Sequence, residues 1–277
     1  MRLVTLLLLI FILIFSDSNS QSFSGDFIEA TSFPGNVISI NNDWSVLQNP
    51  AGLVFQQNPV LGLTYSNKYM LSELGTSILM TTIPMRFGTI GSSICYFGTH
   101  SYNESLLTLA FSKTLFDRFN IGIKMNYHKK YVETFKEKSF AISGEIGLVF
   151  TPSKSVIFGL HIVNPTASGY NSVYEEKLNS VIKAGISYFR NESFTLTGQV
   201  DWYNYEKIEY AFETKYYPVN RMEVRAGFRL PHYTGYMFGT EIKLSRYTID
   251  TGFEIHPVLG ISSSISLLIT IGEHENE

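Results

Sequence analysis

The sequence predicts an all-β protein, an up-and-down antiparallel transmembrane β-barrel of about 14 strands with a short N-terminal plug-like segment. Three observations predict this fold. Apolar and polar residues alternate along most of the chain, only 16% of the residues are charged, and 14% are aromatic. Alternation with a period of two is typical of strands that have one apolar and one polar face. A typical soluble domain contains about 25% charged residues.

The first 20 residues predict a secretory signal peptide. Arg2 is followed by an apolar run over residues 3–15, which is shorter than the roughly 20 residues that a membrane-spanning helix needs. Residues 21–57 do not alternate and are rich in Gly, Pro and Asn, so turns dominate there. We therefore divide the chain into a signal peptide (1–20), a hatch or plug-like segment (21–57), the barrel (58–272) and a charged tail (273–277).

Fourteen segments from residue 59 onward read as strands, and no amphipathic helical pattern interrupts them. An even number of strands brings both ends of the barrel to one side, as in bacterial outer-membrane barrels. The predicted strands cover residues 59–67, 74–82, 85–98, 105–114, 119–131, 139–151, 156–163, 180–189, 194–203, 208–217, 222–230, 235–245, 247–256 and 261–271.

The stretch "FNIGIKMNYH", Phe119–His128, shows the alternation most clearly. One such strand does not reveal whether its apolar face points into a soluble core or out into lipid. Across the whole chain the polar faces hold mainly Gly, Ser, Thr and scattered charges, which is a weak outer coat for a soluble protein. This favours the membrane barrel, while a soluble exported β-sandwich that acts as a binding module stays open as an alternative.

Short and long connections alternate between the predicted strands. A barrel with short periplasmic turns and longer extracellular loops has this pattern. The tight connections are predicted around Pro84-Met85, Asp117-Arg118, Pro152-Ser153-Lys154, Asn191-Glu192, Pro218-Val219-Asn220 and Ser245-Arg246.

The charged residues of the polar faces are predicted to line the lumen, where opposite charges pair across strands. Whether they select ions or only fill space stays open at this stage. They are Lys124, Glu145, Lys183, Asp201, Glu209, Glu213, Lys215, Glu223, Arg225, Arg229, Glu241, Lys243, Asp250 and Glu254.

No catalytic motif is present, so we predict that the protein is not an enzyme. The sequence lacks a Gly-x-Ser-x-Gly elbow, a phosphate loop and a His-Glu-x-x-His zinc motif. The one cysteine, Cys95, excludes an intramolecular disulfide and a cysteine-based metal site, and the six histidines have no ligand spacing. We expect no cofactor and no metal. A net charge of −3 without a basic run gives no reason to expect a nucleic-acid partner.

The segment "DWSVLQNPAGL", Asp43–Leu53, carries a family resemblance. An exported chain with "NPAGL" directly before 14 alternating strands resembles the outer-membrane long-chain fatty acid transporter superfamily. More narrowly, it is similar to the PorV/PorQ-like proteins of Bacteroidetes, which accompany the type IX secretion system. The resemblance implies that residues 21–57 act as a hatch and that Asn49, Pro50, Ala51 and Gly52 belong to it. In that turn Gly52 is free to adopt a positive φ.

The resemblance also implies an integral barrel in the outer membrane of a Gram-negative bacterium. The expected function is passive transport of small hydrophobic molecules, and the expected partners are outer-membrane lipids and such molecules. The alternative is a scaffold or partner of a type IX-like secretion system that does not transport. The N-terminal segment and the loops are short for a full ligand-binding hatch, which motivates this alternative.

Overall fold

The computed structural model describes residues 43–171, 176–191, 193–230 and 235–272. The predicted signal peptide, the first part of the predicted hatch and the charged tail lie outside the described residues. No helix in the described part of the chain is long and apolar enough to cross a membrane.

Fourteen antiparallel strands form one closed barrel, in which each strand pairs with the next and β1 pairs with β14. The predicted fold class is confirmed, and the closed ladder rules out the two-sheet sandwich. Observed and predicted strand bounds differ by at most three residues. The strands are β1 (Val60–Asn67), β2 (Gly75–Met85), β3 (Gly88–Gly98), β4 (Tyr102–Phe116), β5 (Phe119–Val132), β6 (Glu137–Ser153), β7 (Val156–Val163), β8 (Val181–Asn191), β9 (Phe194–Tyr203), β10 (Lys207–Val219), β11 (Met222–Leu230), β12 (Gly235–Leu244), β13 (Tyr247–His256) and β14 (Gly260–Thr270).

Three prolines that the sequence placed in turns belong to strands. Pro84, Pro152 and Pro218 are each the second-to-last residue of a strand, so the hairpin after β2 lies at residues 86–87 rather than at Pro84-Met85. A proline costs little at the end of a strand, where few ladder hydrogen bonds remain to be made. Gly88 then begins β3 at a φ of 151°, which favours glycine.

The outward side chains of the strands are mainly apolar. In "FNIGIKMNYH", Phe119, Ile123, Met125 and Tyr127 are 43–56% exposed, whereas Lys124 is buried. The outer wall is apolar around the whole barrel, and the enclosed side chains are mainly polar except along β1–β4 and β14. This is the arrangement expected of a barrel that has lipid as its outer solvent.

The two ends of the barrel differ. We call one the turn end, because it carries six short hairpins together with the start of β1 and the end of β14. The opposite loop end carries the longer connections, of which residues 164–180 form the longest. In outer-membrane barrels the short turns face the periplasm.

Candidate functional site

Residues 43–57 lie inside the barrel, against the inner faces of β3, β4, β5 and β6. Trp44, Val46 and Leu53 are buried there. Residues Pro50–Phe55 form a short 3₁₀ helix with the proline in its first turn, where its missing N–H is not needed. Gly52 belongs to this helix and does not have the positive φ that the sequence suggested.

Asn49 anchors this segment to the wall. Its side-chain Oδ1 accepts a hydrogen bond from the backbone N–H of Ala51 at 3.0 Å and so caps the 3₁₀ helix. Its Nδ2 donates to the backbone carbonyls of Leu148 and Leu160, at 3.4 and 3.3 Å. The predicted motif Asn49–Gly52 therefore joins the interior segment to strands β6 and β7, a contact that the sequence does not reveal.

Small residues on the inner wall make room for the segment. A Cβ added to Gly147 would stand 1.9 Å from Asn49 Oδ1, and one added to Gly122 would stand 2.3 Å from the carbonyl carbon of Pro50. These two glycines are paired across β5 and β6. On β4, Ser112 Oγ donates to the carbonyl of Ala51 at 3.3 Å. This glycine bed, formed by Gly122 and Gly147, was not predicted from the sequence, although glycines at inward-facing positions of two neighbouring strands could have indicated it.

Lys124 connects the segment to a buried ionic cluster. Its Nζ donates to the carbonyl of Gln48 at 3.1 Å and lies 2.7 Å from Glu145 Oε2. The same carboxylate oxygen is 2.7 Å from His161 Nε2, and Asn126 Nδ2 donates to the other oxygen at 2.5 Å. Lys124 and Glu145 were both predicted to line the lumen, but their pairing with each other, and the parts of His161 and Asn126, were not predicted.

One side of the interior is apolar. We call this set the apolar sector; it extends from the interior segment and the start of β1 to the loop end, where Leu74 and Tyr102 pack against it. Tyr102 therefore faces the interior. The apolar sector consists of Trp44, Val46, Leu47, Leu53, Val60, Ile78, Met80, Cys95, Phe97, Leu106, Ala110 and Leu268.

The opposite side of the interior is charged, and we call the inner faces of β8–β13 the charged wall. Arg225 lies at its centre, 2.5 Å from Asp250 Oδ1 and 3.5 Å from Glu223 Oε1. Further pairs are Lys215–Glu223 at 3.2 Å, Arg229–Glu209 at 3.7 Å, Lys183–Asp201 at 3.8 Å and Lys243–Glu241 at 3.3 Å.

Glu213, Glu254 and Lys243 of the charged wall differ in how far they are buried. Glu213 is buried, and its Oε1 accepts no hydrogen bond from any residue that the structure describes. Glu254 is half-buried on β13. Lys243 is the most exposed of the set, since half of its side chain is open near the turn end.

Asp43, the first described residue of the interior segment, lies within the electrostatic influence of the charged wall. Burial raises the pKa of its carboxyl, and the opposing influences are the charge of Lys243 and a hydrogen bond from the Gln56 side chain. The first described residue of the segment is therefore an acid that is more easily protonated than an exposed aspartate.

At the loop end, part of the connection 164–180 folds inward. Tyr170 is buried against Ala141 and Leu178. Lys130 Nζ lies 5.7 and 5.6 Å from the ring centroids of Tyr102 and Tyr170, and 2.5 Å from Glu176 Oε2. Cation–π attraction and the ion pair together hold the connection over this side of the mouth.

Within the described ranges, no group of three or more His, Cys, Asp or Glu residues is arranged to hold a metal ion. The interior offers instead a packed segment, an apolar sector and a charged wall.

Solved structures share this fold. The P. putida toluene transporter TodX has a TM-score of 0.60 and 11% identity, with 87% of this chain and 95% of that chain covered. The Ralstonia pickettii toluene transporter TbuX has a TM-score of 0.58 and 11% identity, over 83% and 94%. A Pseudomonas aeruginosa FadL homologue has a TM-score of 0.60 and 10% identity, over 92% and 99%.

No protein-family model matches the sequence, and a comparison with curated proteins finds no match. Because only about a tenth of the residues are identical between this chain and those structures, the structural likeness shows a common fold. The chain therefore shares its barrel architecture with TodX, TbuX and the FadL homologue, with nearly the whole length of those chains covered.

Proposed function

We propose that the protein is an integral outer-membrane barrel of a Gram-negative bacterium and passively carries small hydrophobic molecules across that membrane. The observation that carries the proposal is the apolar sector, which runs along one side of the interior from residues 43–57 to the loop end. The fold shared with two toluene transporters supports it.

Physical chemistry supports the membrane location. A closed ladder pairs the backbone groups of every strand, so that none of the strands presents an open edge to lipid. The outward side chains are mainly aliphatic and aromatic. Their burial in lipid contributes roughly 25 cal/mol for each Å² of apolar surface removed from water.

Transport requires that residues 43–57 move, because they are packed against the wall at the turn end. Asn49, the Lys124–Gln48 contact and the glycine bed are the attachments that such a movement must break. We propose that residues 21–57 form a hatch, that Asn49–Gly52 hold it, and that a hydrophobic solute moves along the apolar sector beside it.

The test is uptake of radiolabelled toluene by proteoliposomes that contain the purified full-length protein. Ile78→Asn with Leu106→Asn places two amides in the apolar sector and is expected to slow uptake at least tenfold. The control is Thr195→Asn, at a buried inner-face position of β9 where the threonine hydroxyl has no hydrogen-bond partner among the described residues. Equal uptake by the double variant and the control would contradict the proposal, provided both keep the heat-dependent gel shift of a folded barrel.

A second candidate function is that of a scaffold that does not transport, as in the PorV/PorQ-like proteins that accompany type IX secretion. The tight packing of the interior segment favours it, since Val46, Ala51 and Leu53 are at most 1% exposed. A scaffold should be recovered with a stoichiometric partner from mildly solubilised membranes and should show no toluene uptake. Uptake by the isolated protein would contradict this second candidate.

A further inference from the structure

The turn end of the barrel carries a basic residue at every hairpin. Five of the six short connections contain one Arg or Lys, and in the sixth case Arg190 lies two residues before the connection at 192–193. We call these residues the basic ring: Arg86, Arg118, Lys154, Arg190, Arg221 and Arg246. The acids in the same hairpins are Asp117 and Glu192, so the hairpins have an excess of positive charge.

The side chains of the basic ring are exposed and are not neutralised by the protein around them. Among the described residues, none of the six has an ion pair. Arg118 is held in place, because its Nη1 donates to the carbonyl of Pro152 in the next hairpin at 3.1 Å. Its remaining N–H groups are free to bind an anion.

Exposed and half-buried aromatic rings border the basic ring on the outer wall. Phe119, Phe150 and Phe158 stack across β5, β6 and β7, with centroid distances of 4.3 and 6.3 Å. Phe87 stacks on Phe111 near the first hairpin. Aromatic rings in such positions mark the boundary between hydrocarbon and head groups. The basic ring therefore lies at the level of the head groups.

Two basic side chains on the strands are exposed near the turn end. Inner-face residues of β4 have even numbers, so Lys113 is on the outer face, and it is exposed. Arg190 is also exposed, at the register shift near the end of β8. A partner in the aqueous space below the barrel reaches the outward position of Lys113 poorly, whereas a lipid head group is already beside it.

We propose that the basic ring binds the phosphate head groups of anionic phospholipids in the leaflet of the outer membrane that faces the periplasm. The inference rests on the membrane location in the proposed function and not on transport. Six sites spread around the circumference match an annulus of lipids better than a single acidic protein surface. The loop end differs, because its lysines at 129, 136, 138 and 177 are interspersed with glutamates at 133, 137 and 176.

The test measures the association of spin-labelled phosphatidylglycerol and phosphatidylcholine with the full-length protein in phosphatidylcholine vesicles. We expect a clear preference for phosphatidylglycerol that disappears in 0.5 M NaCl, where charges are screened beyond about 4 Å. In the variant Arg86→Gln/Arg118→Gln/Arg221→Gln/Arg246→Gln, the preference should fall about fivefold at each affected lipid site.

The control removes four positive charges from the loop end, as Lys136→Gln/Lys138→Gln/Lys177→Gln/Lys207→Gln, and should keep the preference. Equal loss in both variants, or no preference in the unmodified protein, would overturn the proposal. Binding of polyglutamate without any lipid preference would instead assign the basic ring to an acidic protein, which also overturns it. A protein that is soluble without detergent would refute the membrane location itself, and a heat-dependent gel shift verifies that each variant is folded.

Discussion

Replacing Gly147 by alanine should detach the interior segment from the wall. The new methyl group would stand 1.9 Å from Asn49 Oδ1, 2.9 Å from Ala51 N and 3.0 Å from Pro50 Cδ. Two of these neighbours are backbone or ring atoms of a helix that is packed on the wall, so no side-chain rotation relieves the overlap. Asn49 must therefore leave its position.

The loss can be worked out from the contacts of Asn49. It makes one capping hydrogen bond to Ala51 and donates two to wall carbonyls. At about 1 kcal/mol for each hydrogen bond, detachment of Asn49 costs about 3 kcal/mol. This changes the ratio of attached to detached segment by roughly 150-fold.

Tryptophan fluorescence measures this ratio. The chain has two tryptophans, the buried Trp44 of the interior segment and Trp202, which is 39% exposed on the outer wall. In a Trp202→Phe background only Trp44 emits. Gly147→Ala should shift its emission to longer wavelength and increase its quenching by acrylamide.

The matched control is Gly144→Ala in the same strand. A Cβ there would have only one neighbour within 4 Å, the carbonyl oxygen of Lys124 at 3.9 Å, which is an ordinary contact. Gly144→Ala should leave Trp44 buried. If Gly147→Ala and Gly144→Ala give the same spectrum and the same quenching, the reasoning that the glycine bed holds the segment is refuted.

Three further predictions concern the same segment and its supports. Deletion of residues 22–48 should raise the conductance of single channels in planar bilayers, and unchanged conductance would contradict a plugging role. Lys124→Met leaves Glu145 buried with a histidine as its remaining titratable partner and should lower the free energy of unfolding in urea by about 3–5 kcal/mol. Adding Glu145→Gln to this variant should recover most of the lost free energy. If the double variant is no more stable than Lys124→Met, the ionic explanation is refuted. Because the attached state raises the pKa of Asp43, attachment should be tightest at acid pH and should weaken as the pH rises through that raised value. Asp43→Asn should abolish this trend in the quenching of Trp44, and persistence of the trend would assign it to another group.

The positions of three prolines relative to the hairpins were predicted inaccurately from the sequence. Pro84, Pro152 and Pro218 each read as turn residues, yet each is the second-to-last residue of a strand. Proline has no backbone N–H donor, so its presence indicates that a turn is near. It is tolerated both at the end of a strand and within the turn itself, and the local sequence does not distinguish these two positions. The hairpin is then located by pairing across the two strands, as in Pro84 opposite Thr89.

For the charged residues, the sequence predicted the face of the strand correctly but not all of the contacts. Their alternation placed Lys124 and Glu145 on one face, and these residues indeed face each other across β5 and β6. The alternation contains no information about which inner-face residues meet the interior segment. His161 joins Glu145 from β7, and Gln48 reaches Lys124 from 76 residues away. Such partners depend on how far the strands are staggered when the barrel closes.

The sequence by itself determined that the chain forms 14 strands, that each strand has one apolar face, and that the connections alternate in length. These properties are local, because a period of two and the residues that favour turns act over a few positions. Only the tertiary structure decided that the sheet closes, that the apolar faces of strands such as Phe119–Val132 point outward, and that Asn49 bonds to β6 and β7. Closure fixes a common register for all strands, and that register brings Gly122, Gly147 and Asn49 together from distant parts of the chain.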